Sequence, residues 1–149
     1  MSTQPGKLFI FAGLLLGILM CALGCLGAKI TGDATDKISG QLPRRKVDIT
    51  IETSQQQAFF DQLREFADKH DFEILIDSQP SGAQDFLIYM TRDDIIISGA
   101  NPFVPGEYKL GFYDADRQHP APESAFDDLI DDLESFVSEV PGTTFSVEK

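Results

Sequence analysis

Cysteine is scarce and confined: the chain has two, Cys21 and Cys25, and both sit in one apolar run near its start. Beyond Cys25 no thiol remains to form a disulfide or to act as a nucleophile. Histidine is as rare, with only His70 and His119. No Gly-x-Ser-x-Gly turn, Walker glycine loop or dinucleotide glycine pattern occurs. The common routes to nucleophilic catalysis and phosphate cradling therefore have no motif here. Positive charge is the third shortage. Twelve Lys and Arg stand against 24 Asp and Glu, a net charge of -12. Nucleic-acid binding needs cations to displace counterions from phosphates, so an acidic surface repels that class of partner.

The charge is unevenly spread. Residues 47–149 carry 6 basic and 22 acidic side chains, a net of -16, whereas residues 25–46 carry 5 basic side chains against Asp33 and Asp36, a net of +3. A basic neck thus carries an acidic head. Beside a membrane, Arg44, Arg45 and Lys46 favour anionic headgroups by about 1 kcal/mol each. Away from one, they are a solvated linker end.

Residues 8–28 form an uncharged run of 21. A bilayer-spanning helix needs about 20 apolar residues, whereas the apolar core of a signal peptide is usually about 7–15. Gly13 and Gly17 have the small-residue spacing that suits helix pairing in lipid. Within the same run, Ala22-Leu23-Gly24-Cys25 puts small residues third and first before a cysteine, as a signal peptidase cleft requires. This stretch resembles the lipobox of bacterial lipoprotein signal sequences, with Ala22 where the common pattern has Leu. The resemblance covers residues 1–25 and implies that Cys25 is acylated and becomes the mature N-terminus. Left uncleaved, the run is an anchor. The Lys and Arg that follow it would then hold the remaining chain on the cytoplasmic side. The organisation expected is a signal sequence or membrane anchor over 1–25, a flexible basic tether over 26–45, and one acidic domain over 46–149.

Tether and domain differ in pattern. Residues 26–45 are rich in Gly, Ser, Thr and Asp and have no apolar periodicity. From Lys46 onward, Val47, Ile49 and Ile51 alternate with polar residues, as in a half-buried strand. Ser54 is expected to cap a helix, with Gln57 completing a capping box. Phe59, Phe60, Leu63, Phe66 and Ala67 give that helix one apolar stripe. Phe72, Ile74 and Ile76 alternate again. Residues 86–90 and 95–98 read as a hairpin around Thr91-Arg92-Asp93-Asp94, and Tyr108, Leu110 and Phe112 as a further strand. A second helix opens at Pro122-Glu123, with Phe126, Leu129, Ile130, Leu133, Phe136, Val137 and Val140 on one face, and Pro141-Gly142 stops it. Phe145 and Val147 are placed for a short closing strand. Too few helices are present for parallel crossovers. The expected class is α+β, an antiparallel sheet of about five strands with two helices on one face, loosely like a ferredoxin-type sandwich.

Three constellations are candidate sites. The second helix carries Asp127, Asp128, Asp131, Asp132 and Glu134. Carboxylates at this spacing suit a hard cation, but no glycine-turned calcium loop accompanies them. A solvated acidic face, or a contact for a basic partner, fits the pattern better. Asp114, Asp116 and His119 put two carboxylates and an imidazole within six residues, the raw material of a metal site or a general base. A metal site gathers three or four ligands, a pattern this stretch lacks, so a polar loop with a solvent-exposed histidine explains them better. Asn101-Pro102-Phe103-Val104-Pro105-Gly106 is stiffened by two prolines and either offers Phe103 and Val104 as apolar contacts or, the commoner outcome, tucks both back onto the core. His70 falls at the end of the first helix, where a cation stabilises the terminus.

The function expected is a bacterial envelope protein, held at the membrane by a lipid or a helix, whose domain binds a basic protein partner without chemistry and without a cofactor. Two alternatives stand beside it. One is a small hydrolase or metal-dependent enzyme using scattered carboxylates and His119. The other is a single-pass membrane protein with a cytoplasmic acidic domain.

Overall fold

Val47 and Ile49 are buried while Lys46 and Thr50 are exposed, so the period-two alternation becomes β1, Arg45–Thr50. The structure, a computed structural model, describes residues 37–77, 86–100 and 104–148. The apolar run at 8–28, with Cys25, and Phe103 lie outside the described residues. Among those described, no helix is long and apolar enough to cross a membrane.

After β1 come α1 (Gln56–Lys69), β2 (Glu73–Ile76), β3 (Phe86–Thr91), β4 (Ile95–Ala100), β5 (Glu107–Asp114), α2 (Glu123–Val137) and β6 (Thr144–Glu148). The expected Ser54 cap is replaced by different geometry. Ser54 sits inside a 3-10 turn, Thr53–Gln55, and α1 starts after it with no side-chain cap. The turn itself takes up a main-chain donor, Gln55 N–H to Glu52 O at 2.8 Å, which is another way to satisfy a helix start.

The sheet has six strands in the order β2-β3-β4-β5-β1-β6, and every neighbouring pair is antiparallel. The expected count of about five falls short because Phe145 and Val147 do form a strand, paired with Ile49 and Val47. Four consecutive strands between the helices make a meander, which also separates this topology from a ferredoxin-type sandwich. β1 adds beside β5 at the end of that meander, and β6 adds outside β1.

One face of the sheet supplies Val47, Ile49, Ile88, Met90, Ile95, Ile97, Tyr108, Leu110 and Phe112 to a single apolar cluster. The stripe of α1 (Phe59, Phe60, Leu63, Phe66, Ala67) and that of α2 (Phe126, Leu129, Ile130, Leu133, Val137) belong to the same cluster. Each fully buried Leu or Phe contributes about 1.5–3 kcal/mol, against about 0–1 for an exposed ion pair, so this cluster and not the surface charge holds the fold. Tyr108 is buried with its ring 4.7 Å from that of Phe59, and its hydroxyl accepts a bond from Gln56 Nε2 at 2.8 Å. Burial raises its pKa above the ordinary phenol value.

Residues 38–149 make one compact unit, so packing begins inside the stretch read as a tether. Ile38 is buried, and Arg44 N–H donates to Phe112 O at 2.7 Å. Gly106, at φ +90, closes the loop before β5, and Ile51 N–H donates to its carbonyl at 2.9 Å.

Candidate interaction site

α2 buries one stripe and turns its carboxylates outward, and the neighbouring elements sort those carboxylates into two groups. The first group is consumed within the domain. Glu123 takes both Arg44 and Arg45, with Arg45 Nη2 2.9 Å away, and Asp127 accepts Arg45 Nε at 3.1 Å. The bond from Arg44, first, holds the Glu123 carboxyl below its usual range. Farther along, Asp132 Oδ2 lies 2.8 Å from both Lys69 Nζ and His70 Nε2, at the end of α1. The Lys69 bond is the main reason its carboxyl is also held low. Lys46 reaches Glu148 at 3.0 Å. The run Arg44-Arg45-Lys46 is therefore matched to carboxylates of its own domain, a use that neither the headgroup nor the linker expectation contained.

Glu134 has no ion-pair partner among the described residues, and neither have Asp128 and Asp131, which form the second group. With His70, Arg92, Leu129 and Asp132 they line an open groove of about 430 Å³ between the end of α1, the β3–β4 turn and α2. Arg92 is the groove's permanent cation, and it is already spent. It makes a two-pronged pair with Asp94 at 2.7 and 3.2 Å, donates to His70 O at 3.1 Å, and lies 4.8 Å over the Phe72 ring. The bond from Arg92 lowers the Asp94 pKa. The His70 ring packs 4.8 Å from Phe66, so side chain and carbonyl are both fixed. The groove lining offers no hydroxyl or thiol, and what it presents to a ligand is uncompensated negative charge.

His70 is the C-cap residue of α1, in keeping with the helix-end role read from sequence, but its contact with Asp132 was not legible there. Nor was Arg92: a lone arginine in a turn signals nothing until Phe72, Asp94 and the helix end surround it.

The three residues of the 114–119 loop do not converge. Asp114 is buried, its Oδ1 accepting Ala121 N–H at 3.0 Å and its Oδ2 accepting Arg44 Nη1 at 2.8 Å. Asp116 faces solvent, bonded to His119 Nδ1 at 2.8 Å and to Gln118 N–H at 2.8 Å; the His119 bond keeps its pKa low. Asp114 ties elements together, while Asp116 and His119 order a surface turn. Among the described residues no three His, Cys, Asp or Glu side chains gather as metal ligands. Val104 is half exposed at 50%. No protein-family model matches this chain, and no curated protein sequence is significantly similar to it, so the residues alone carry the functional argument.

Proposed function

We propose that this is a non-enzymatic interaction domain of the bacterial envelope, held at the membrane by acylation of Cys25 or by a helix over residues 8–28, which receives a basic protein partner on α2. One observation carries the partner chemistry: among the described residues Asp128 and Asp131 have no ion-pair partner beside the groove, while Glu123, Asp127 and Asp132 are matched to cations of the same chain. A Lys or Arg of a partner supplies the missing counter-charge. Val104 belongs to a second, apolar contact on the loop before β5. The attachment rests on the lipobox-like Ala22-Leu23-Gly24-Cys25 and on the length of the apolar run.

Capture from membrane extract, with the intact chain as bait, tests the partner. Retention is expected at low salt and loss at high salt, because exposed charge pairing is screened. The Asp128→Asn/Asp131→Asn chain is expected to retain nothing at either. Retention unchanged by salt and by the double substitution overturns the reading. For the attachment, the intact mass of membrane-purified protein separates a chain beginning at acylated Cys25 from a full-length one, and Cys25→Ser should block processing only in the first case.

A further inference from the structure

β6 ends the sheet, and its outer side has no strand beside it among the described residues. The direction of its main-chain groups follows from its neighbours. Ile51 N–H donates to Gly106 O, which places Val47 and Ile49, in alternation with it, with their main-chain groups toward β5. Lys46, Asp48 and Thr50 consequently point theirs toward β6, where they meet Glu148, Ser146 and Thr144. That leaves N–H and C=O of Phe145 and Val147 directed outward.

Natural edge strands are guarded by proline, by a bulge or by charged side chains. β6 has no proline and no bulge. Its sequence is TFSVE, and its pairing with β1 is regular over all five residues. Its single charge, Glu148, is matched by Lys46 at 3.0 Å and Lys109 at 3.8 Å. Val147 is an apolar side chain left 43% exposed, on the same sheet face as Phe145.

We propose that β6 is a self-association edge, and that its occupant is β6 of a second copy of this chain, antiparallel and centred on Ser146. This register overlaps the whole strand. Phe145 exchanges both main-chain bonds with Val147 of the second copy, and Val147 with its Phe145. On the helix-bearing face, exposed Val147 covers and is covered by Phe145. On the other face, Glu148 meets Thr144, so no like charges oppose each other across the seam, as cross-strand pairing requires. A five-residue edge buries less than the roughly 1,200 Å² of a stable interface, so the dimer is weak and concentration-dependent. Both domains are acidic, so their long-range repulsion opposes it.

Centring on Ser146 makes it a non-hydrogen-bonded pair with its own symmetry mate, at a Cα separation of about 4.5 Å that a disulfide accepts. Full-length protein in detergent, with Cys21 and Cys25 replaced by Ser, is oxidised mildly after Ser146→Cys or Thr144→Cys. Ser146→Cys should form a covalent dimer at least about tenfold faster, since Thr144 faces Glu148 of the other copy and not itself. Adding Val147→Lys should remove that advantage. Raising salt from about 0.02 to about 0.3 M should speed the Ser146 reaction by screening the repulsion. Equal rates at the two positions, no dimer from a folded Ser146→Cys chain, or slowing by salt would each overturn the proposal. Capture of a basic partner has the opposite salt dependence, so the two readings fail separately.

Discussion

Arg44 Nη1 lies 2.8 Å from Asp114 Oδ2 across 70 residues of chain, and the same guanidinium stands 5.3 Å over the Phe126 ring. One cation thereby joins the lead-in to β1, the end of β5 and the first turn of α2. Replacing Asp114 with Ala removes the acceptor of the Ala121 N–H as well as the partner of Arg44. Loss of about 2–3 kcal/mol is expected, because a buried donor is left unmade. His119→Ala should stay within about 0.5 kcal/mol of the parent, as substitutions away from such features do. Urea unfolding midpoints of the two variants check the contrast.

Acid should weaken the domain through the carboxylates whose pKa values are lowered on folding: Glu123 by Arg44, Asp132 by Lys69, and Asp94 by Arg92. A carboxylate held low when folded contributes stability above its unfolded pKa and loses it as pH falls through the folded one. With unfolded values of about 3.9 for Asp and 4.3 for Glu, stability should hold near neutrality and decline below about pH 4.5. Glu123→Gln should flatten part of that decline. Urea midpoints measured stepwise from neutral to acid pH read it directly.

Core and surface should separate by size. Leu133 is fully buried, and Leu133→Ala is expected to cost about 2–5 kcal/mol, transfer and cavity terms together. Lys69 pairs with Asp132 in solvent and lies 5.3 Å over the Phe136 ring; exposed contacts of that kind are worth about 0–1 kcal/mol each. Lys69→Ala should therefore leave a domain with nearly the parent thermal midpoint, while Leu133→Ala lowers it by many degrees.

Gly106 has φ +90, and a Cβ added there would collide with Ile51 O. Gly106→Ala meets both backbone strain, about 1–3 kcal/mol, and a main-chain clash. The substitution should destabilise strongly and raise amide exchange at Ile51, whose N–H is bonded to this residue.

Asp128→Asn and Asp131→Asn should behave unlike their neighbours on α2. Neither carboxylate is paired among the described residues, so thermal stability should stay within about 0.5 kcal/mol. Their effect is expected in salt-sensitive partner capture alone.

The helices and strands were largely legible because each is an amphipathic pattern of one period. Phe59, Leu63 and Phe66 announce a helix stripe, and Tyr108, Leu110 and Phe112 announce a strand, whatever they later touch. The start of α1 was not, since a 3-10 turn and an Ser54 capping box make similar demands on sequence. The site was barely legible. Asp127, Asp128, Asp131 and Asp132 are four aspartates of one helix, and nothing local separates the two that are paired from the two that are not.

By itself, the sequence determined the α+β class, the apolar faces and the acidity of the head, because burial and period are local properties of side chains. The tertiary structure alone decided which charges are spent. Arg44 and Arg45 reach Glu123 because β1 lies beside β5 and α2 packs on that sheet; Lys69, His70 and Arg92 meet at the end of α1 because the β3–β4 turn arrives there. Charge pairing acts over a few ångströms between residues far apart in the chain, and only the packed fold sets those distances.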